Sequence, residues 1–333
     1  MKTDQDLRPT SLDDFVSQHQ TIATLRRAIT AARRAGRPVG HLLFAGMAGC
    51  GKTSLAAVVA AEMGAKFVAT TGPAIEHRGE LAALLTGLGA GDVLFVDEIH
   101  GLDKKLQEIL YSAMEDGVVD LAAGKKMIRM QLPAFTLIGA TTRTHLLTGP
   151  LRDRFAYTFQ IGHYDDVDLQ AIVGRSARRL GLPMDDDAAA EIGRRSRGTP
   201  RVANRLVRAA RDFVESVGAT RVTSIVAAAA LDAIGVDDLG LDTTDRTYLA
   251  IVAEAGAPIG LEAIASAMGT ERGTIEDVIE PHLVARGLVR RTSRGRVATA
   301  AGIQHLQPRA DRWAPKSRMI SEGNDVIDAE LVS

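Results

Sequence analysis

The chain has 333 residues, 46% of them hydrophobic and 24% charged, with a formal net charge of −1. This length accommodates two or three domains with real cores, and the composition is that of an ordinary soluble protein. A single cysteine excludes an internal disulfide framework and a cysteine-based zinc cluster, and the charge balance carries no signal for nucleic acid. No apolar run reaches membrane-spanning length, and the opening MKTDQDLRPT is too polar for a secretory signal. No membrane association and a cytoplasmic location are therefore the expectation.

Residues 40–162 alternate short apolar segments with helical patterns. Strands are expected at HLLFA, KFVAT, DVLFVD, FTLIGAT and YTFQI, with helices such as KTSLAAVVAAEMG and KKLQEILYSAMED between them. Such alternation implies a mainly parallel sheet covered on both faces. The first domain is placed at residues 1–162.

Between the first strand and its helix, Gly46-Met47-Ala48-Gly49-Cys50-Gly51-Lys52-Thr53 fits the P-loop pattern in full. Glycines let backbone N–H groups turn inward around phosphate oxygens, and the following helix presents its positive end. Lys52 reaches the β- and γ-phosphates, and the Thr53 hydroxyl suits Mg²⁺. Cys50 sits at a variable position of this nucleotide-binding loop; phosphoryl transfer needs positioning rather than covalent attack, so it is no nucleophile. This loop points to a nucleoside triphosphate.

DVLFVDEIH supplies the other half. Asp97 emerges at the carboxyl end of a buried strand, where open α/β sheets place ligands, and suits Mg²⁺; Glu98 suits the water-activating base. LIGATTR then puts Thr141 and Thr142 at the end of another strand, within reach of a γ-phosphate. LTGPLRDRF carries Arg152 and Arg154 beside Asp153. An arginine there can neutralise a phosphoryl group bound by a neighbouring subunit, or serve a structural ion pair; the residues alone leave both open.

From Asp165 the pattern turns helical, giving a small helical domain at 163–236. Asp185–Asp187 read as acids favouring a helix N-terminus rather than as metal ligands. Residues 237–306 spell helix-helix-helix-hairpin, the order of a winged helix. The third helix carries Glu271, Glu276, Asp277 and Glu280, which suits a phosphate-lined groove poorly; the hairpin arginines Arg290, Arg291, Arg294 and Arg296 make the better DNA surface. Residues 307–333 read as a disordered tail.

Taken together, LLFAGMAGCGKTSLA, TGPAIEHRGELAALLT, GDVLFVDEIH, FTLIGATTR, LRDRF, RRSRGTPRVANRL, ERGTIEDVIEPHL and RTSRGRVAT resemble the RuvB family, the AAA+ motors of bacterial Holliday-junction branch migration. The resemblance runs from about Leu7 to Leu306. It implies an α/β fold, a AAA+ P-loop domain with a parallel sheet followed by a small helical lid and a winged helix. It implies ATP and Mg²⁺, with Leu7, Arg8 and Tyr164 framing the adenine and Gly49, Gly51, Lys52, Thr53 and Ser54 wrapping the phosphates. Asp97 and Glu98 become the magnesium and water-activating acids, Thr142 a first sensor, Arg154 a finger acting across a subunit boundary and Arg201 a second sensor in cis. Family members form hexameric rings around duplex DNA at four-way junctions.

One segment departs from the pattern. The family's longer β-hairpin docks apolar tip residues onto the junction-recognition protein RuvA; here VVDLAAGKKMIRMQ offers Ala122, Ala123, Lys125 and Lys126 instead. Apolar anchors carry much of an interface's affinity, so the usual RuvA contact is expected to be lost. This keeps a remodelling or clamp-loader-type ATPase in view beside a DNA-translocating ring.

Overall fold

The computed structural model describes residues 7–123 and 126–307, with the backbone alone at 121–123 and 126–127. It divides after Tyr164 into two compact units. The expected tail, apart from Gln307, and the hairpin tip at 124–125 lie outside the described residues.

In the first unit, α1 (His19–Arg34) precedes β1 (Leu42–Gly46), and α2 (Lys52–Met63) leads to β2 (Phe67–Thr71). Next come α3 (Arg78–Thr86), β3 (Val93–Asp97) and α4 (Lys104–Glu115), then a hairpin of β4 (Val118–Ala123) and β5 (Lys126–Gln131). The unit closes with β6 (Thr136–Thr141), α5 (Gly149–Asp153) and β7 (Tyr157–Ile161). Five strands form a wholly parallel sheet in the order β2-β3-β6-β1-β7. All five strands read from the sequence are present, each within a residue of its expected ends.

The sheet is parallel because β1, β3 and β6 are apolar on both faces and buried almost throughout. Leu43, Leu94 and Leu137 are fully buried and share one cluster with Leu81, Leu85, Leu106 and Leu110 from α3 and α4. Each such side chain contributes roughly 1.5–3 kcal/mol by leaving water. Helix α2 buries Leu55, Ala56, Val58, Val59 and Ala60, apolar almost all round, and stops at Gly64 in a left-handed cap. Helix α4 starts where Asp103 accepts a hydrogen bond from the Leu106 N–H at 2.8 Å.

The second unit opens with four lid helices, α6 (Asp166–Leu180), α7 (Asp186–Arg194), α8 (Pro200–Val217) and α9 (Ser224–Ala233). Asp186 and Asp187 occupy the first turn of α7, while the Asp185 carboxylate pairs with Arg221. The winged portion follows with α10 (Thr243–Glu254), α11 (Leu261–Met268), α12 (Arg272–Thr274), a π turn at Ile275–Ile279 and α13 (Glu280–Ala285). It ends with the hairpin β8 (Val289–Thr292)–β9 (Gly295–Ala298) and α14 (Ala300–Leu306). Ile259 adds an isolated antiparallel bridge to Arg296. Tyr248, Leu249, Ile264, Ile275 and Leu283 form a separate core here.

That core holds two opposed titrating groups. Burial pushes the Asp245 carboxyl up to about 6, against the pull of the Arg197 guanidinium. Burial likewise pushes the His282 imidazole down to about 4, helped by the charges of Arg197 and Arg286 and opposed by its hydrogen bond to the Leu239 carbonyl and by Asp237. As pH rises from about 4 to 6 the unfolded chain ionises Asp245 first, and folding loses about 3 kcal/mol. As pH falls from about 6.5 to 4 the unfolded chain protonates His282 first, and folding loses about 3 kcal/mol in the opposite direction. The two slopes nearly cancel. In Asp245→Asn the histidine slope is no longer opposed, and the lowered Glu280 and Asp237 carboxyls add to it: hydrogen-exchange protection over residues 238–306 should fall by about 3 kcal/mol more from pH 7 to 4 than in the parent. A profile no steeper than the parent's would refute this.

Candidate active site and nucleic-acid surface

The P-loop crosses from the end of β1 to the start of α2 at the carboxyl edge of the sheet. Gly46 lies so close to β7 that a Cβ would meet the Ile161 carbonyl oxygen at 2.2 Å. Gly49 and Gly51 take φ of 82° and 96°, the left-handed region that turns consecutive N–H groups to one side. Lys52 opens α2 and is 8% exposed; its ammonium donates to the carbonyls of Gly46 and Met47 at 2.7 and 2.8 Å. Thr53 and Ser54 follow, half-buried, in the first turn.

The acids sit beside this loop. The Thr53 hydroxyl donates to Asp97 Oδ2 at 3.2 Å, so two hard oxygen donors meet where β1 and β3 end. That pair fits Mg²⁺, which takes one or two protein oxygens and fills its octahedron with phosphates and water. Among the described residues no cluster of three or more His, Cys, Asp or Glu could hold a metal unaided. Glu98 is exposed and adopts φ 46°, unusual for a residue with a side chain. Its conformation is held from behind. The Gly101 N–H donates to the Glu98 carbonyl at 2.7 Å, and Gly72 packs so tightly that a Cβ there would meet that carbonyl at 2.3 Å.

At the end of β6 the two threonines divide. Thr141 is buried; its hydroxyl lies 3.0 Å from His100 Nδ1 and accepts from the Arg143 N–H at 2.9 Å. Thr142 is exposed. On the far side of the loop Leu7 is 1% and Tyr164 6% exposed, while Arg8 is exposed. The Tyr164 hydroxyl lies 3.4 Å from the Cys50 carbonyl, and Phe15 and Tyr164 both flank Gly51. Gln18 sews the amino-terminal segment to the exit of β7 by a reciprocal pair with the Gly162 backbone at 3.2 and 3.4 Å. Phe15, Gln18 and Gly72 escaped the sequence reading, because their partners lie far along the chain.

Arg154 caps the short α5. Its guanidinium pairs with Glu115 at 2.8 Å, donates to the Tyr111 hydroxyl at 3.2 Å and lies 5.1 Å from the Tyr111 ring centre. Arg152, by contrast, is half exposed with Asp153 no closer than 3.9 Å. Arg201 belongs to the second unit, exposed in the first turn of α8 behind Pro200.

The wing arginines separate into two kinds, those tied to a buried acid and those that are not. Glu280, read from the sequence as part of an acidic face, is fully buried. Arg291 and Arg296 each donate to it at 2.7 Å, and the Tyr248 hydroxyl does so at 2.6 Å. Burial pushes the Glu280 carboxyl up, but the hydrogen bonds from Arg296 and Tyr248 and the charge of Arg291 outweigh that and leave it below the usual range. Arg290 and Arg294 are exposed on the hairpin. Arg290→Ala with Arg294→Ala should therefore flatten the salt dependence of DNA binding by about one in slope per arginine. Arg296→Ala instead leaves a buried carboxylate short of a partner and should destabilise the winged portion by about 3 kcal/mol. Equal loss of salt slope from both changes, with no loss of stability, would reject the division.

Three family models match in succession. The Holliday junction DNA helicase RuvB P-loop domain matches residues 7–161, the RuvB AAA lid domain 164–237 and the RuvB C-terminal winged helix domain 238–307. The chain belongs to the RuvB family. The Holliday junction branch migration complex subunit RuvB of Paramagnetospirillum magneticum is 50% identical over 306 residues, covering 90% of this chain and 88% of that protein. Its counterpart in Rubrobacter xylanophilus is 49% identical over 306 residues, covering 90% and 86%. The solved Thermotoga maritima RuvB Holliday junction branch migration motor superposes with a TM-score of 0.84 at 40% identity, covering 91% of this chain and 98% of that one. The RuvB fold is thus a AAA+ parallel-sheet domain, a lid and a winged helix, and the chain is a P-loop ATPase. No helix among the described residues is long and apolar enough to cross a membrane.

Proposed function

We propose that this protein is an ATP-hydrolysing ring motor that translocates duplex DNA and drives branch migration at four-way junctions. The observation that carries this reading is the meeting of Lys52, Thr53, Asp97 and Glu98 at one sheet edge, in a chain that also bears a basic wing. Lys52 and the loop N–H groups orient the triphosphate of ATP; Mg²⁺, when bound at Thr53 and Asp97, neutralises charge on it. Glu98 accepts the proton of the attacking water, and Thr142 orients the γ-phosphate end. Leu7, Arg8 and Tyr164 enclose the base. Arg154 serves the pocket of an adjoining copy and Arg201 reads the nucleotide from the lid, so the working form is a homo-oligomer, a hexamer by family likeness, in the cytoplasm.

The wing favours a motor over a protein-remodelling ATPase, because Arg290 and Arg294 suit phosphates without reading sequence. RuvA docking is proposed to be weak: this expectation rests on Ala122, Ala123, Lys125 and Lys126, whose side chains lie outside the described residues. Among the described side chains of the hairpin, Ile128 and Met130, 49% and 39% exposed on one face of β5, offer an apolar contact. Turnover measured with linear, forked and four-way DNA, with and without RuvA, tests both statements. Turnover indifferent to every DNA defeats the motor reading; tight RuvA binding in sedimentation defeats the docking one.

A further inference from the structure

The loop between α7 and α8 joins the lid to the winged portion through side chains. Arg197 within it has φ 56°, a left-handed conformation that non-glycine residues seldom take. Its guanidinium is anchored on the winged side, 3.0 Å from Asp245 Oδ1, 3.5 Å from Asp242 Oδ2 and 3.3 Å from the Val278 carbonyl oxygen. The side chain is only 11% exposed and that of Asp245 1%. Arg286 returns the contact by donating to the Arg194 carbonyl at 3.0 Å.

Pro281 has no N–H to give to the Asp277 carbonyl four residues back, and the helix widens into a π turn over Ile275–Ile279. Arg197 reaches into that widened turn. Two residues further on, Glu280 holds Arg291 and Arg296 of the wing. Four residues from Arg197 in the other direction lies Arg201, at the start of α8. Polar contacts joined by two short stretches of backbone, 197–201 and 278–280, therefore connect the lid arginine with the wing hairpin.

We propose that Arg197 is a positioning residue that carries lid movement into the helix that bears Val278 and Glu280, and so into the wing, so that hydrolysis advances the DNA. This rests on the reading above that Arg201 senses nucleotide and the wing holds DNA. Arg197 touches neither, and Asp245 keeps its helix-cap hydrogen bond from the Asp242 N–H at 3.0 Å when the arginine is removed.

The test is the number of base pairs migrated per ATP on a four-way junction by the full-length protein. Arg197→Ala should keep its DNA-free turnover and its DNA affinity within about twofold, yet migrate about tenfold fewer base pairs per ATP. Arg197→Lys, which restores the charge without the fork, should recover part of that ratio. A merely structural role would lower turnover and migration in proportion and leave the ratio unchanged, which overturns the proposal. If Arg197→Ala melts below the assay temperature, the ratio in Arg197→Lys decides: a parental value sinks the idea. A parent chain indifferent to DNA defeats the motor reading and this proposal with it; a DNA-driven parent with an unaltered ratio in the variants defeats this proposal alone.

Discussion

Glu98→Gln should lower ATP turnover by about 10²–10⁴-fold while leaving ATP binding intact. The amide keeps the shape of the side chain but cannot take a proton, so the loss falls on the chemical step. The geometry supports a clean separation. Glu98 is exposed at the end of β3, and what fixes it is its backbone, through Gly101 and Gly72 rather than through its carboxylate. Asp97 and Thr53 hold each other without it. Single-turnover and steady-state rates on the variant, with nucleotide affinity measured beside them, check this. Near-parental turnover would remove Glu98 from the role of base.

Arg154→Ala should cost about 10³–10⁵-fold in turnover, with nucleotide affinity largely preserved. The magnitude is large because a guanidinium stabilises charge that grows on the phosphoryl group only as the reaction proceeds. In this chain Tyr111 and Glu115, both on α4, hold that guanidinium, and its Nε is buried with no hydrogen-bond partner among the described residues. The decisive experiment mixes Arg154→Ala with Lys52→Ala. Each subunit is inactive alone, yet one supplies an intact loop and the other an intact arginine. Activity regained in verified mixed rings places Arg154 in the neighbour's pocket; none regained there leaves it a structural cation.

Much of the fold was legible because its signals are local. β1, β3 and β6 are short apolar runs, β1 and β3 ending on glycine and acid, and the P-loop and the Asp97–Glu98 pair lie at those two ends. What stayed hidden is set by contacts across long stretches of chain. Tyr111 and Glu115 stand about forty residues from Arg154 with nothing in the sequence to pair them. Glu280 had a weak signal: it falls between Ile279 and Leu283, both buried, so it shares the apolar stripe of its helix. Counted as one more acid on a surface helix, it concealed that Arg291 and Arg296 are occupied inward. The π turn was equally unreadable, although Pro281 marked where an ordinary helix would fail.

The close approach of Gly46 to β7 bears on how mutational scans of this loop are interpreted. A methyl group there overlaps main chain rather than a movable side chain, so Gly46→Ala must prise the edge strand away from β1. Tyr164 lies three residues beyond Ile161, so the displacement propagates to the base end of the pocket. Weakened nucleotide affinity in such a variant would measure a distorted seat for the adenine, not the strength of phosphate recognition, and comparing ATP with inorganic triphosphate would separate the two.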